Sequence, residues 1–237
     1  MGAFASTELS SVLAGSDGAG RDGRPAVKAL CLHGKGTSGH IFSMQTGALR
    51  RHLEQALDGL VGVFPDAPFS ASGQIDEGVL TFYPSPPNRY YEWYCSDSKE
   101  KTLAASLKQL VRFARKHGPF DLLVGFSQGC EVVARLALLC QRQGVDVRSM
   151  FKCAVCVGGV CVDEAFLSTL RENEVVDLPS LHLLGEHDPY LPRSEALADL
   201  FSERSRAKLY HCEAHNVPSV RTGLYDSIAE WIKANSK

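Results

Sequence analysis

Apolar residues along the chain fall into two patterns that take turns. Short unbroken runs occur at Lys28-Ala29-Leu30-Cys31-Leu32-His33, Val61-Gly62-Val63-Phe64, Phe120-Asp121-Leu122-Leu123-Val124-Gly125-Phe126, Lys152 to Val157, Ser180-Leu181-His182-Leu183-Leu184-Gly185 and Ala207-Lys208-Leu209-Tyr210-His211. The first stops at Gly34, the second at Pro65-Asp66 and the fourth at Gly158-Gly159, as buried strands stop at turn residues. Between them, apolar positions recur every three or four residues, which predicts helices. These cover Gln45 to Leu57, Thr102 to about His117, Gln128 to Gln141, Ser194 to Arg204 and Leu224 to Ala234.

Strands that are apolar end to end and alternate with helices predict an α/β fold, a mostly parallel central sheet with helices on both faces. Its site would lie beyond the carboxyl ends of the strands. The periodicity fails from Phe69 to Ser98, where Phe82, Tyr83, Tyr90, Tyr91, Trp93 and Tyr94 crowd among prolines. A loop that long inside a compact domain is usually functional, and its aromatic load argues against disorder. Residues 27–235 therefore read as one domain with an aromatic-rich insertion at about 69–98. Residues 1–26, rich in Gly, Ser and Ala, read as a disordered tail.

Composition narrows the function classes. Twenty-five Lys and Arg against twenty-seven Asp and Glu give a net charge of −2 over 237 residues, without the clustered basic surface that nucleic acid requires. The densest basic stretch, Lys108 to Lys116, is the solvated face of an amphipathic helix. No stretch approaches the roughly 18 unbroken apolar residues of a spanning helix. The N-terminus lacks a basic start and a long apolar run, so no secretion signal is expected. Met1-Gly2-Ala3-Phe4-Ala5-Ser6 fits the loose myristoylation pattern; weak membrane association is expected only if Gly2 is acylated, since one acyl chain anchors marginally.

The eight cysteines sit mostly inside apolar runs, as reduced thiols do, which points to the reducing cytoplasm. Cys153 and Cys156 form a C-x-x-C inside a strand, which places them on opposite faces. No second pair completes a metal set, and neither metal nor cofactor is expected.

Three strand ends carry chemistry. Gly125-Phe126-Ser127-Gln128-Gly129 joins a buried strand to an amphipathic helix, and such a strained elbow needs small residues on both sides of its serine. A serine hydroxyl needs a base to take its proton and an acid to hold that base's tautomer. Asp188 follows the strand at 180–184 and His215 the strand at 207–211, so Ser127, Asp188 and His215 are the candidate catalytic set, in the order acid and His after Ser. Glu186 and Asp163 are rival acids, and His187 and His211 rival bases. An oxyanion hole would take backbone N–H groups from Gln128, at the positive end of a helix, and from Lys35 in His33-Gly34-Lys35-Gly36. His33 itself is expected to brace that loop. Tyr91 and Trp93, with Val160, Val217 and Pro218 beside the catalytic loops, are expected to touch substrate.

Leu32-His33-Gly34, Phe42, Gln45-Thr46-Gly47-Ala48-Leu49-Arg50, Phe64-Pro65-Asp66-Ala67-Pro68-Phe69, Trp93-Tyr94, the Gly125–Gly129 elbow, Gly185-Glu186-His187-Asp188 and His215-Asn216-Val217-Pro218 occur in this order. With them the chain resembles the FSH group of serine hydrolases over about residues 27–233. That group includes ovarian-cancer-associated-protein-2-like esterases and fungal polyketide-releasing thioesterases. The resemblance implies an α/β-hydrolase fold, no cofactor, and hydrolysis of carboxylic esters or thioesters, with nucleophile, acid and base on Ser127, Asp188 and His215. The chain departs from the group at Glu213-Ala214, where glycines are usual, and at Lys35. The reading is a serine carboxylesterase for short to medium acyl chains. The alternatives are a thioesterase acting on acyl-CoA, carrier-bound or S-acylated protein substrates, and a non-catalytic small-molecule binder on a hydrolase scaffold.

Overall fold

A computed structural model describes residues 26–84, 89–160 and 163–236. The expectations for the tail and for Gly2 lie outside these residues. In chain order the elements are β1 (Val27–Leu32), α1 (Gly39–Gln45), α2 (Gly47–Ala56), β2 (Leu60–Val63), β3 (Phe69–Ser70), α3 (Glu77–Phe82), β4 (Tyr91–Glu92), α4 (Lys99–His117), β5 (Leu122–Phe126), α5 (Gln128–Arg142), β6 (Cys153–Val157), α6 (Glu164–Leu167), β7 (Ser180–Gly185), α7 (Leu191–Asp199), β8 (Arg206–His211) and α8 (Tyr225–Asn235).

Six strands form one parallel sheet in the order β2-β1-β5-β6-β7-β8. Alternate residues of each strand point to opposite faces, and both faces are apolar, so the sheet must be covered twice. Leu30, Leu32, Leu123, Ala154 and Cys156 pack with α4 and α5. Ala29, Cys31, Leu122, Phe126, Cys153, Val155 and Val157 pack with α2 and α8. The two cysteines of the C-x-x-C therefore sit in different layers. On α4, Leu103, Leu107, Leu110, Phe113 and Ala114 are the buried stripe; fully burying one such leucine or phenylalanine contributes about 2 kcal/mol.

The chain leaves β1 toward β2 on one side, and β5 leads to β6, β7 and β8 on the other. The carboxyl ends of β1 and β5 thus flank the switch point, where an open α/β sheet forms its crevice.

Three expectations about elements are corrected. The stretch before Gln45 is helical: Ser38 Oγ accepts from the N–H of Ile41 at 3.1 Å and starts α1, and the chain turns at Thr46 before α2 begins. The aperiodic insertion carries a two-stranded antiparallel ribbon, β3 with β4, and the helix α3, capped by Asp76. The helix expected at 194–204 is α7 at Leu191–Asp199, because Pro192 fits a first helical turn.

Candidate active site

Ser127 ends β5 and precedes α5. Its backbone sits at φ 52°, ψ −116°, a region that costs a non-glycine residue roughly 1–3 kcal/mol. Neighbouring backbone holds it there. Its N–H donates to Val157 O at 3.0 Å, and its C=O accepts from the N–H of Cys130 at 3.0 Å and of Val160 at 3.4 Å. The helix that follows lies so close to β1 that a Cβ on Gly129 would stand 2.3 Å from Leu32 O. Only glycine fits there, and this close approach sets the elbow beside the loop after β1.

Asp188 follows β7 and His215 follows β8. His215 Nδ1 lies 2.7 Å from Asp188 Oδ2, and Asp188 Oδ1 accepts from the N–H of Tyr190 at 2.7 Å. A carboxylate oxygen accepts, so Nδ1 donates to Asp188, leaving Nε2 as the other ring nitrogen of His215. The Asp188 side chain is 1% exposed and that of His215 21%, so Asp188 is sealed while His215 keeps access to solvent. Gly158, at φ +52°, presents its backbone to both: a Cβ there would stand 3.1 Å from His215 Nδ1 and 3.3 Å from Asp188 Oδ2. On the other side the Phe126 ring, next to Ser127, lies 5.1 Å from the imidazole centroid, and the Tyr190 ring meets it edge-on at 5.1 Å. Among the described residues, Ser127 Oγ has no hydrogen-bond partner.

The rival groups have other surroundings. Asp163 binds Lys99 Nζ at 2.6 Å and the N–H of Phe166 at 2.7 Å. His187 donates from Nδ1 to Cys212 O at 2.7 Å. His211 is buried, and that burial lowers its pKa. Glu186 is exposed.

Lys35 lies in the loop after β1 and Gln128 directly follows Ser127. A Cβ on Gly34 would lie 3.2 Å from Ser127 Cβ, so the loop after β1 packs directly on the elbow. The backbone N–H groups of Lys35 and Gln128 donate to no other described residue. The Lys35 side chain points to Glu92, with Nζ 3.6 Å from Oε2. His33 braces the loop as expected. Its Nε2 accepts from the N–H of Ala67 at 3.0 Å and its Nδ1 donates to Gly34 O at 2.8 Å. Burial pushes its pKa down to about 4, so it is neutral at pH 7.

The residues expected to touch substrate divide. Tyr91, Val160 and Val217 are half-buried. Trp93 is 1% exposed and donates its indole N–H to His33 O at 2.8 Å, so it is a packed residue rather than a pocket wall. Pro218 is likewise buried, its C=O accepting from Tyr225 Oη at 3.1 Å. Both residues are packed against neighbouring segments, because loop residues beside a site need not face it.

Residues 24–224 match the family described as Serine hydrolase (FSH1). The chain belongs to that family. Esterase FUS5 of Gibberella moniliformis is 30% identical over 200 residues, 81% of this chain and 80% of that protein. Esterase OVCA2 of Danio rerio is 28% identical over 214 residues, 81% of this chain and 91% of that protein. An uncharacterized hydrolase of Schizosaccharomyces pombe is 29% identical over 211 residues, and there the match spans 47% of the relative's length. Among solved structures, a carboxylesterase from Mesorhizobium loti superposes with a TM-score of 0.60 at 16% identity, covering 87% of this chain and 88% of that one. This likeness establishes the α/β-hydrolase fold. The protein is a serine hydrolase of the esterase type.

Two supports of this serine hydrolase's site escaped sequence reasoning. The Glu213 carboxylate accepts from Ser219 N–H and Asn216 Nδ2 at 2.9 Å each, and from Ser219 Oγ at 2.5 Å, so it shapes the loop carrying His215. The Gln128 side chain binds the segment after β4, accepting from the N–H of Trp93 at 2.7 Å and donating to Tyr94 O at 3.1 Å. The Gln128 partners lie 34 and 35 residues away along the chain, which hides them. Among the described residues, no group of three or more His, Cys, Asp or Glu side chains could hold a metal ion, and no helix is long and apolar enough to cross a membrane.

Proposed function

We propose that the protein hydrolyses carboxylic esters through a Ser127–His215–Asp188 triad. The observation that carries this reading is the 2.7 Å contact between Asp188 and His215, at the same carboxyl end of the sheet as a Ser127 held at positive φ. Ser127 Oγ attacks the acyl carbonyl while His215 Nε2 takes its proton. The N–H groups of Lys35 and Gln128 hold the oxyanion. The tetrahedral intermediate expels the alcohol, which leaves with the proton from His215. Water, deprotonated by the same imidazole, then adds to the acyl-enzyme and frees acid and serine. Asp188 orients the ring and stabilises the imidazolium. A non-catalytic binder would have no need of a buried acid aligned on a half-exposed histidine.

The substrate is a small-molecule ester with a short to medium acyl chain. Support comes from Tyr91, half-buried and hydrogen-bonded through its backbone to Gly36 and Thr37 of the loop after β1, and from Val160, half-buried with its N–H 3.4 Å from Ser127 O. A reducing compartment suits the seven described cysteines, all unpaired. A chain-length series of p-nitrophenyl esters tests the reading: kcat/KM should peak below about ten carbons, and Ser127→Ala should lower kcat by about 10⁶. Activity that keeps rising beyond about twelve carbons would overturn the chain-length claim, and near wild-type turnover by Ser127→Ala would overturn the mechanism.

A further inference from the structure

The two N–H groups assigned to the oxyanion hole come from separate parts of the chain, a loop after β1 and the first turn of α5. Their separation must be set by whatever joins those parts. One short segment touches both. On the loop side, Tyr91 O accepts from the N–H of Gly36 at 2.9 Å and the N–H of Tyr91 donates to Thr37 O at 2.7 Å. The Trp93 indole N–H reaches back to His33 O at 2.8 Å. Residues 33, 36 and 37 are thus tied on both flanks of Lys35. On the helix side, the same segment gives the N–H of Trp93 and the C=O of Tyr94 to the side-chain amide of Gln128, the residue whose own N–H is the second donor. Ser106 Oγ donates to Trp93 O at 2.5 Å, and the Tyr94 hydroxyl donates to the buried Glu131 of α5. Trp93 and Gln128 are 1% and 4% exposed, so water cannot replace these bonds.

We infer that Trp93 and the side chain of Gln128 are positioning residues that fix the distance between the two oxyanion donors, acting as a strut from His33 to the start of α5. This rests on the oxyanion assignment made above. The device acts mainly on the transition state. An ester carbonyl in the ground state asks little of the two N–H groups, whereas the developing oxyanion needs both at hydrogen-bond distance.

Trp93→Phe keeps the ring and removes the indole donor. Gln128→Met keeps the length of the side chain and removes both of its hydrogen bonds. Each is compared with wild type in kcat and KM for p-nitrophenyl butyrate, with active sites counted by fluorophosphonate titration. Affinity for a short alkyl trifluoromethyl ketone, which forms a tetrahedral adduct on the serine, completes the set. The strut predicts that kcat per titrated site falls about 10- to 100-fold, since misplacement of about 1 Å costs on that order. KM should stay within about threefold, and ketone affinity should fall by the same factor as kcat. Fewer titratable sites with unchanged kcat per site would overturn the inference, leaving the pair as structural support only. A rise confined to KM would overturn it equally. If the wild type itself neither titrates nor binds the ketone, the oxyanion assignment is the part that has failed, and the strut falls with it.

Discussion

Asp188→Asn is the sharpest perturbation of the proposed triad, because the site accommodates an amide in neither orientation. Asp188 accepts on both oxygens, from His215 Nδ1 and from the N–H of Tyr190, each at 2.7 Å, and its side chain is 1% exposed. If the amide NH₂ of asparagine faces His215, it forces Nδ1 to accept, the ring proton moves to Nε2, and the base is gone. If the oxygen faces His215, the NH₂ meets the Tyr190 N–H, and burying two opposed donors costs about 1–3 kcal/mol. Either way the imidazolium formed during the reaction loses its counter-ion. At 2.7 Å and an effective dielectric of about 20, that attraction is about 6 kcal/mol, or about four decades in rate. Because the His215 side chain is 21% exposed, solvent screens part of it, and the expected loss in kcat is about 10³ to 10⁴. The assay is p-nitrophenyl butyrate turnover per folded molecule, with the fold checked by circular dichroism. A kcat within tenfold of wild type would refute the assignment of Asp188 as the acid and return the rivals to consideration.

Lys35 is invoked only through its backbone, so Lys35→Ala should keep kcat within about threefold, while Lys35→Pro, lacking the N–H, should lower it about 10²- to 10³-fold; equal losses in both variants would contradict this. Gly129→Ala places a carbon 2.3 Å from Leu32 O, so the melting temperature should fall by at least about 6 °C, a cost of about 3 kcal/mol in a domain of this size; an unchanged melting curve would refute the close packing of α5 on β1. His33, its pKa pushed down to about 4 by burial, binds its proton more weakly folded than unfolded, where the value is near 6.5. Its contribution is complete above about pH 6.5 and declines as pH falls toward 4, by at most about 3 kcal/mol. Urea midpoints should follow that slope, and His33→Gln should flatten it; a slope unchanged in the variant would assign the acid sensitivity to other groups.

Much of this was legible from the chain because buried parallel strands and amphipathic helices have distinct apolar periods. All six sheet strands and the elbow fell where the pattern put them, and Asp188 and His215 met although 27 residues separate them. The misses are elements too short or too exposed to carry a period. α3 buries none of its residues, and β3 and β4 are two residues each. α1 lay behind Thr37-Ser38-Gly39, which reads as a loop unless the capping serine is credited. Side-chain direction in loops was not legible at all. Trp93 and Tyr91 are two residues apart, yet one is sealed and the other half-buried. The role of Gln128 was half seen, because its position after the serine revealed the backbone donor while its side-chain partners lie 34 and 35 residues away.

The central claim, that Ser127 is an activated nucleophile, is tested most directly by intact-mass spectrometry after exposure to a fluorophosphonate probe, on wild type and on Ser127→Ala. The account predicts one adduct on the wild type and none on the variant. A folded wild type that takes no adduct, or a variant labelled equally well, would contradict it.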